Sequence, residues 1–166
     1  MGGSVKIIAV VGTGSGCGKT TVACRILREI PGLGAVKISP RECTSRIEWG
    51  AGEPGKDTDL YVGSGAVPVA RIIGTRETVG QAWELIKGHF EGCQGVVIEG
   101  ASALEIPGEL FVVFIVGDTQ ADQRDEQNRA MAAISTLIID RSSHSGVESK
   151  LDVIRVFLAG SSNENI

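Results

Sequence analysis

Several features are scarce in this chain of 166 residues. It has two histidines and four widely spaced cysteines without a CxxC pair, so neither a zinc knuckle nor a disulfide framework is indicated, and we expect buried or incidental thiols. Aromatic residues make up 4% of the chain. That is too few for a platform on which single-stranded nucleic acid would stack.

Positive charge and long apolar runs are scarce as well. The 16 Lys and Arg against 20 Asp and Glu give a net charge of −4, which disfavours binding to nucleic acid or to an anionic membrane. The longest apolar run, Leu110–Val116, is far shorter than the roughly 20 residues of a membrane-spanning helix. Ile7–Val11 is too short for the core of a signal peptide. We therefore expect a cytoplasmic protein without a membrane span.

Glycine, in contrast, is abundant, and the 23 glycines fall mainly at the ends of apolar segments. Short apolar runs rich in β-branched residues predict strands at residues 5–11, 34–39, 67–73, 95–98, 110–116 and 136–139. Helical spacing of apolar residues predicts helices at 22–30, 79–90, 122–133 and 147–158, and residues 40–56 are predicted to form a long loop. This alternation predicts a three-layer α/β fold with a mainly parallel sheet, in one domain over residues 1–159 followed by a polar tail at 160–166.

The strongest local pattern lies between the first strand and the first helix, at Gly12–Thr21 (GTGSGCGKTT). It is a phosphate-loop pattern, in which small residues let backbone N–H groups point at a phosphate and the helix N-terminus adds partial positive charge. The predicted binding residues are Thr13, Gly14, Ser15, Gly16, Cys17, Gly18, Lys19, Thr20 and Thr21. Lys19 would bridge the β- and γ-phosphates, and Thr20 would place its hydroxyl on Mg²⁺. Thr13 stands where the pattern ordinarily begins with glycine, and Gly12 is displaced by one position.

Two charged residues follow other predicted strands. Glu99 ends the strand at 95–98, where a second carboxylate for the metal is expected, because the carboxyl ends of parallel strands face the ligand crevice. Lys37 lies near the end of the second strand, at the same edge, and could contact phosphate or a second substrate. We predict a P-loop NTPase fold in which Lys19 and Glu99 are catalytic.

These residues resemble the MobB family, the molybdopterin-guanine dinucleotide biosynthesis protein B, of the same class as dethiobiotin synthetase and the nickel-insertion GTPases. The likeness covers residues 5–117. It rests on the phosphate loop, Val36–Ser39 (VKIS), Glu53–Thr58 (EPGKDT), Gly63–Ala66 (GSGA) and Val97–Gly100 (VIEG), in the family's order and approximate spacing. The EPGKDT segment is the most specific of these.

The resemblance implies a homodimer that binds GTP, hydrolyses it weakly and assists the guanylyltransferase that attaches GMP to molybdopterin. It also implies that Asp57 approaches Mg²⁺ or the γ-phosphate, as a third catalytic and metal-binding residue beside Thr20 and Glu99. From the residues alone, Asp57 is an aspartate in a polar loop and is consistent with that role. No residue is placed by the sequence as an arginine finger, so intrinsic hydrolysis should be slow.

Other functions remain open. An ATP-dependent ligase of the dethiobiotin synthetase type is similar in Gly12-Thr13 before the loop and in Lys37 near a proline. A metal-insertion chaperone GTPase would want histidine or cysteine clusters, which this chain lacks. GTP is favoured over ATP by the resemblance alone, because the chain has no NKxD guanine signature.

Overall fold

The protein is described from a computed structural model, which covers residues 4–14, 16–41, 45–117, 126–140 and 147–160. The strands are Ile7–Gly12 (β1), Leu33–Pro40 (β2), Arg46–Trp49 (β3), Val69–Gly74 (β4), Gly95–Glu99 (β5), Leu110–Val116 (β6) and Leu137–Asp140 (β7). The helices are Lys19–Glu29 (α1), Asp57–Gly63 (α2), Arg76–Ile86 (α3), Glu126–Ala133 (α4) and Val147–Ala159 (α5). Two 3₁₀ helices, Lys87–Phe90 and Ala101–Glu105, complete the described elements.

The strands form one sheet in the order β3-β4-β2-β5-β1-β6-β7. Every neighbouring pair is parallel except β3 and β4, which are antiparallel. The prediction of a mainly parallel sheet is confirmed. Because β1 lies between β5 and β6, the loop after β1 leaves the middle of the sheet at its carboxyl edge.

Both faces of the sheet are covered by apolar layers, as the nearly continuous apolar strands predict. One layer packs α1, α2 and α5 on the sheet through residues such as Val22, Tyr61 and Ile154. The layer on the opposite face includes Val79 and Trp83 of α3. The arrangement is a three-layer α/β fold. Within the described residues, no helix combines the length and apolar character needed to cross a membrane.

Two predictions between β2 and β4 are wrong. The predicted loop at 40–56 contains β3, which pairs at the edge of the sheet with β4. Its sequence, Arg-Ile-Glu-Trp, is short and half charged, so it lacks the apolar run by which the other strands were found. Asp57, expected in a polar loop, is the first residue of α2, whose seven residues are too few to show a helical period.

The other predicted elements differ from the structure mainly at their ends. The helix predicted at 79–90 ends at Ile86 and continues as 3₁₀ helix to Phe90. The helix predicted at 122–133 is described from Glu126, and 122–125 lie outside the described residues, as do 161–166 of the predicted tail. Cys17 and Cys24 are buried, Cys93 is partly buried, and Cys43 lies outside the described residues.

Candidate functional site

The loop between β1 and α1 is shaped by its glycines. Gly16 and Gly18 have φ angles of 76° and 102°, in the left-handed region that side chains with a Cβ rarely adopt. A Cβ at Gly12 would collide with Cys17 Sγ and approach Ile115 O to 3.0 Å. Gly12 is therefore required where the chain leaves β1, although it lies one position before the glycine of the ordinary pattern.

Thr13 joins this loop to the end of β6. Its N–H donates to Ile115 O at 3.1 Å, and its hydroxyl accepts from Gly117 N–H at 3.0 Å. The position that departs from the ordinary pattern thus fixes the loop against the neighbouring strand. Ser15, predicted to bind phosphate, lies outside the described residues.

Thr20 is the second residue of α1, and its hydroxyl contacts two carboxylates from distant parts of the chain. Thr20 Oγ1 is 3.0 Å from Asp57 Oδ1 and 3.1 Å from Glu99 Oε2. A hydroxyl has one hydrogen to donate, so it can satisfy only one of the two carboxylates at a time. The arrangement leaves acceptor oxygens available to a cation.

Lys37 joins the same two carboxylates from β2. Its ammonium donates to Glu99 Oε1 at 2.6 Å and lies 2.8 Å from Asp57 Oδ2. Glu99, only 1% exposed, also accepts a hydrogen bond from the hydroxyl of Tyr61 in α2. With three donors around it, the buried Glu99 satisfies the rule that buried charges are paired and hydrogen-bonded.

The electrostatics of this cluster follow from burial and from these contacts. Burial by itself would lower the pKa of Lys37, but Glu99 and Asp57 outweigh it and raise that pKa above its ordinary 10.5. Burial would raise the pKa of Asp57, yet the hydrogen bond and charge of Lys37 hold it below its ordinary 3.8. Burial and the charge of Glu99 raise the pKa of Tyr61, so its hydroxyl stays protonated as a donor.

These shifts predict how stability depends on pH. Because the pKa of Asp57 is lower in the folded state, its contribution to the unfolding free energy is present above pH 3.8 and is lost as the pH falls through the folded-state pKa. Asp57→Asn should therefore be less stable than wild type by a constant amount at neutral pH, and the difference should shrink below pH 3.8. Denaturant unfolding across this range measures it. A difference that is the same at pH 3 and pH 7, or that grows in acid, would contradict the assignment.

Lys19 and the cluster line one cavity. Lys19 Nζ donates to Gly14 O at 2.6 Å and lies 3.7 Å from Cys17 Sγ. The cavity, of about 400 Å³, is lined by Gly16, Gly18, Lys19, Thr20, Thr21, Lys37, Asp57 and Glu99. The structure thus brings together eight of the predicted site residues, whereas Thr13, Gly14 and Cys17 support the loop from outside this lining.

The donor set fits Mg²⁺, a hard cation that takes oxygen ligands in octahedral geometry. At bond lengths of about 2.1 Å, neighbouring ligand oxygens of an octahedron lie about 3.0 Å apart, close to the spacing of the Thr20 and Asp57 oxygens. Asp57 and Glu99 carry two negative charges against the one positive charge of Lys37, so negative charge remains for a cation. Within the described residues, no group of three or more His, Cys, Asp or Glu side chains is placed to hold a metal. Further oxygen ligands of a cation would have to come from a second bound molecule or from water.

Sequence reasoning missed Tyr61. It is the single tyrosine of the chain and follows Asp57 by four residues, so the two side chains share one face of α2. The spacing would have revealed the pair if α2 had been predicted. One face of α2 therefore carries Asp57, which lines the cavity, and Tyr61, which donates to the buried carboxylate of Glu99.

Comparison with protein-family models, with curated proteins and with solved structures finds no match to this chain.

Proposed function

We propose that this protein is a P-loop nucleotide-binding protein that takes a purine nucleoside triphosphate with Mg²⁺. The observation that carries the proposal is the position of the Thr20 hydroxyl. It lies at the start of the helix that follows the glycine loop, within 3.1 Å of carboxylate oxygens from both α2 and β5. A phosphate-binding loop requires such a meeting of helix N-terminus, hydroxyl and strand-end carboxylate.

In this proposal the triphosphate follows the loop from Gly14 to Thr21. Backbone N–H groups and the N-terminus of α1 stabilise the β-phosphate, and Lys19 turns from Gly14 O to bridge the β- and γ-phosphates. Thr20, Glu99 and Asp57 would hold Mg²⁺, directly or through water, and the metal would neutralise charge on the transferring phosphoryl group. Tyr61 and Lys37 hold the Glu99 carboxylate in place.

We further propose weak, Mg²⁺-dependent hydrolysis of GTP, in an adapter that acts as a homodimer and assists the guanylation of molybdopterin. This part rests on the resemblance to the MobB family in the phosphate loop and the EPGKDT segment. The placement of Asp57 of that segment beside Thr20 supports it, because the resemblance assigns Asp57 to the metal or the γ-phosphate.

A second candidate is an ATP-dependent ligase or small-molecule kinase of the dethiobiotin synthetase type. The observation in its favour is Lys37, which lies at the boundary between the cavity described above and a second polar cavity. A lysine between a nucleotide and a second substrate would neutralise charge on both.

Thermal unfolding with Mg²⁺ and either GTP or ATP tests the proposal and separates the two candidates. A ligand at about 100 times its dissociation constant stabilises a protein by ~2.7 kcal/mol, which for this size is a shift of about 5–10 °C. A larger shift with GTP supports the adapter, and a larger shift with ATP supports the ligase or kinase. No shift with either nucleotide at millimolar concentration overturns the nucleotide proposal.

A further inference from the structure

A row of charged residues crosses the sheet where its apolar face ends. In the register of the sheet, Glu99 of β5 lies beside Lys37 of β2, Lys37 beside Arg71 of β4, and Arg71 beside Glu48 of β3. Four neighbouring strands therefore carry a charged residue at the same level. Two residues earlier on each of β2, β4 and β5 the same face is apolar, with Ala35, Val69 and Val97 in the core beneath α1 and α2. The nucleotide proposal uses the Glu99 end of this row and leaves the Arg71 end without a function.

The Arg71 end opens into its own cavity, of about 630 Å³, a size typical of small-molecule sites. It is lined by Lys37, Ser39, Arg41, Arg46, Glu48, Gly52, Glu53, Gly55, Lys56, Asp57, Thr58 and Arg71. Every one of these residues is polar, charged or glycine. The lining therefore suits a small hydrophilic molecule, since among the described residues an aromatic ring, an apolar peptide or an acyl chain would find no apolar side chain to pack against.

Positive charge exceeds negative charge in this cavity, although the whole chain has a net charge of −4. Five basic side chains line it against three acidic ones, and counting Glu99, which pairs with Lys37 at 2.6 Å, still leaves an excess of positive charge. Glu48 is shared by Arg46, at 2.6 Å, and Arg71, at 3.7 Å. Neither Arg41 nor Lys56 has an ion-pair partner in the part of the chain that the structure describes. An anion would balance the excess.

Arg71 is placed to hold that anion. Its Nε donates to Ser39 Oγ at 2.8 Å, which fixes the guanidinium plane, while the 3.7 Å separation from Glu48 is too long for a hydrogen bond. The side chain is 37% exposed. A guanidinium held at Nε, with only this long contact to Glu48 at Nη1 among the described residues, is suited to two parallel hydrogen bonds from its Nη atoms to a carboxylate or phosphate.

We propose that this cavity, which we call the Arg71 cavity, binds a small polar molecule through its carboxylate or phosphate group, as a second substrate beside the nucleotide. Lys37 and Asp57 line both cavities, so the two ligands would lie on either side of them. The role as second substrate rests on the proposed nucleotide function. The binding of the anion does not, and it can be tested without a nucleotide.

The test is a calorimetric titration with two probes, citrate for the carboxylate and glycerol 3-phosphate for the phosphate, in wild type and in four variants. Arg71→Gln should weaken binding about tenfold or more, the effect of losing a charge-assisted hydrogen bond. Arg46→Gln, on the exposed edge strand, should weaken it less. Arg76→Gln is the matched control. Arg76 is the first residue of α3, on the opposite face of the sheet, and it donates to Glu105 at 2.6 Å. Lys19→Ala removes the lysine of the phosphate loop and therefore reports a probe that binds on that loop instead of in the Arg71 cavity.

Binding of either probe with this pattern supports the Arg71 cavity, and the probe that binds identifies the group recognised. Absence of binding by both at millimolar concentration overturns the inference, as does equal affinity in Arg71→Gln and Arg76→Gln. Loss of both probes in Lys19→Ala also overturns it, because the anion would then lie on the phosphate loop. If Arg71→Gln does not fold, Arg46→Gln decides by the same comparison with Arg76→Gln. None of these outcomes depends on whether GTP or ATP binds.

Discussion

Lys19→Ala is expected to weaken binding of the Mg²⁺-nucleotide by at least about 100-fold, because a cation bridging two phosphates makes more than one charge-assisted hydrogen bond. The fold should change little. The Lys19 ammonium contacts the carbonyl of Gly14 and the sulfur of Cys17, both within its own loop. The unfolding free energy should stay within about 0.5 kcal/mol of wild type, as for most surface substitutions.

Calorimetric titration and thermal unfolding of the same samples measure these two effects. Lys87→Ala is the matched control, because Lys87 is a half-exposed lysine that pairs with Glu84 at 2.5 Å in another part of the molecule. It should bind nucleotide as wild type does. A Lys19→Ala variant that keeps the wild-type affinity would show that Lys19 does not contact the phosphates.

Glu99→Gln should reduce the Mg²⁺-dependent part of nucleotide binding by about 10- to 100-fold, the loss expected when a charged partner is replaced by a neutral one. The amide has nearly the shape of the carboxylate, and its oxygen can still accept from Lys37. What changes is the charge: Asp57 and Lys37 then cancel, and little negative charge remains for a cation. Affinity measured with Mg²⁺ and with EDTA gives the metal-dependent part as the difference.

Two further variants test whether the loss of Mg²⁺ dependence comes from the charge of Glu99. Glu99→Asp keeps the charge on a shorter side chain and should recover part of the Mg²⁺ dependence, which a merely structural role of the side chain would not predict. Glu105→Gln makes the same charge change at a residue that pairs with Arg76 on the opposite face of the sheet, and it should behave as wild type. The metal role of Glu99 is wrong if Glu99→Gln keeps the full difference between Mg²⁺ and EDTA.

The strands were predictable because a parallel sheet covered on both faces needs nearly continuous apolar runs, and such runs are visible in a sequence. Leu110–Val116 was predicted to the residue, and β1, β2, β4 and β5 to within two residues at either end. The sequence does not show β3 in the same way. Its stability comes from pairing with β4, a contact between segments more than twenty residues apart, and edge strands tolerate charge.

The conformation of the glycine loop is local, because it depends on residues that are close together in the sequence. Gly16 and Gly18 come just before Lys19 and Thr20 at the start of α1, and the positive φ angles of the two glycines are available to glycine at little cost. Glu99 was also predictable, because parallel strands end at one edge of the sheet.

Which partners meet Glu99 was decided only by the tertiary structure. Lys37 comes from β2, Tyr61 and Asp57 from α2, and Thr20 from α1, and they meet because α1 and α2 pack on the same face of the sheet. Likewise, Arg71 and Glu48 line the same cavity because β3 runs antiparallel to β4 and its register places Glu48 beside Arg71. The sequence alone determined the parallel strands and the glycine loop, since apolar runs and glycine φ angles are properties of neighbouring residues. The charge balance of the two cavities depends on contacts between distant segments, and only the folded chain sets those.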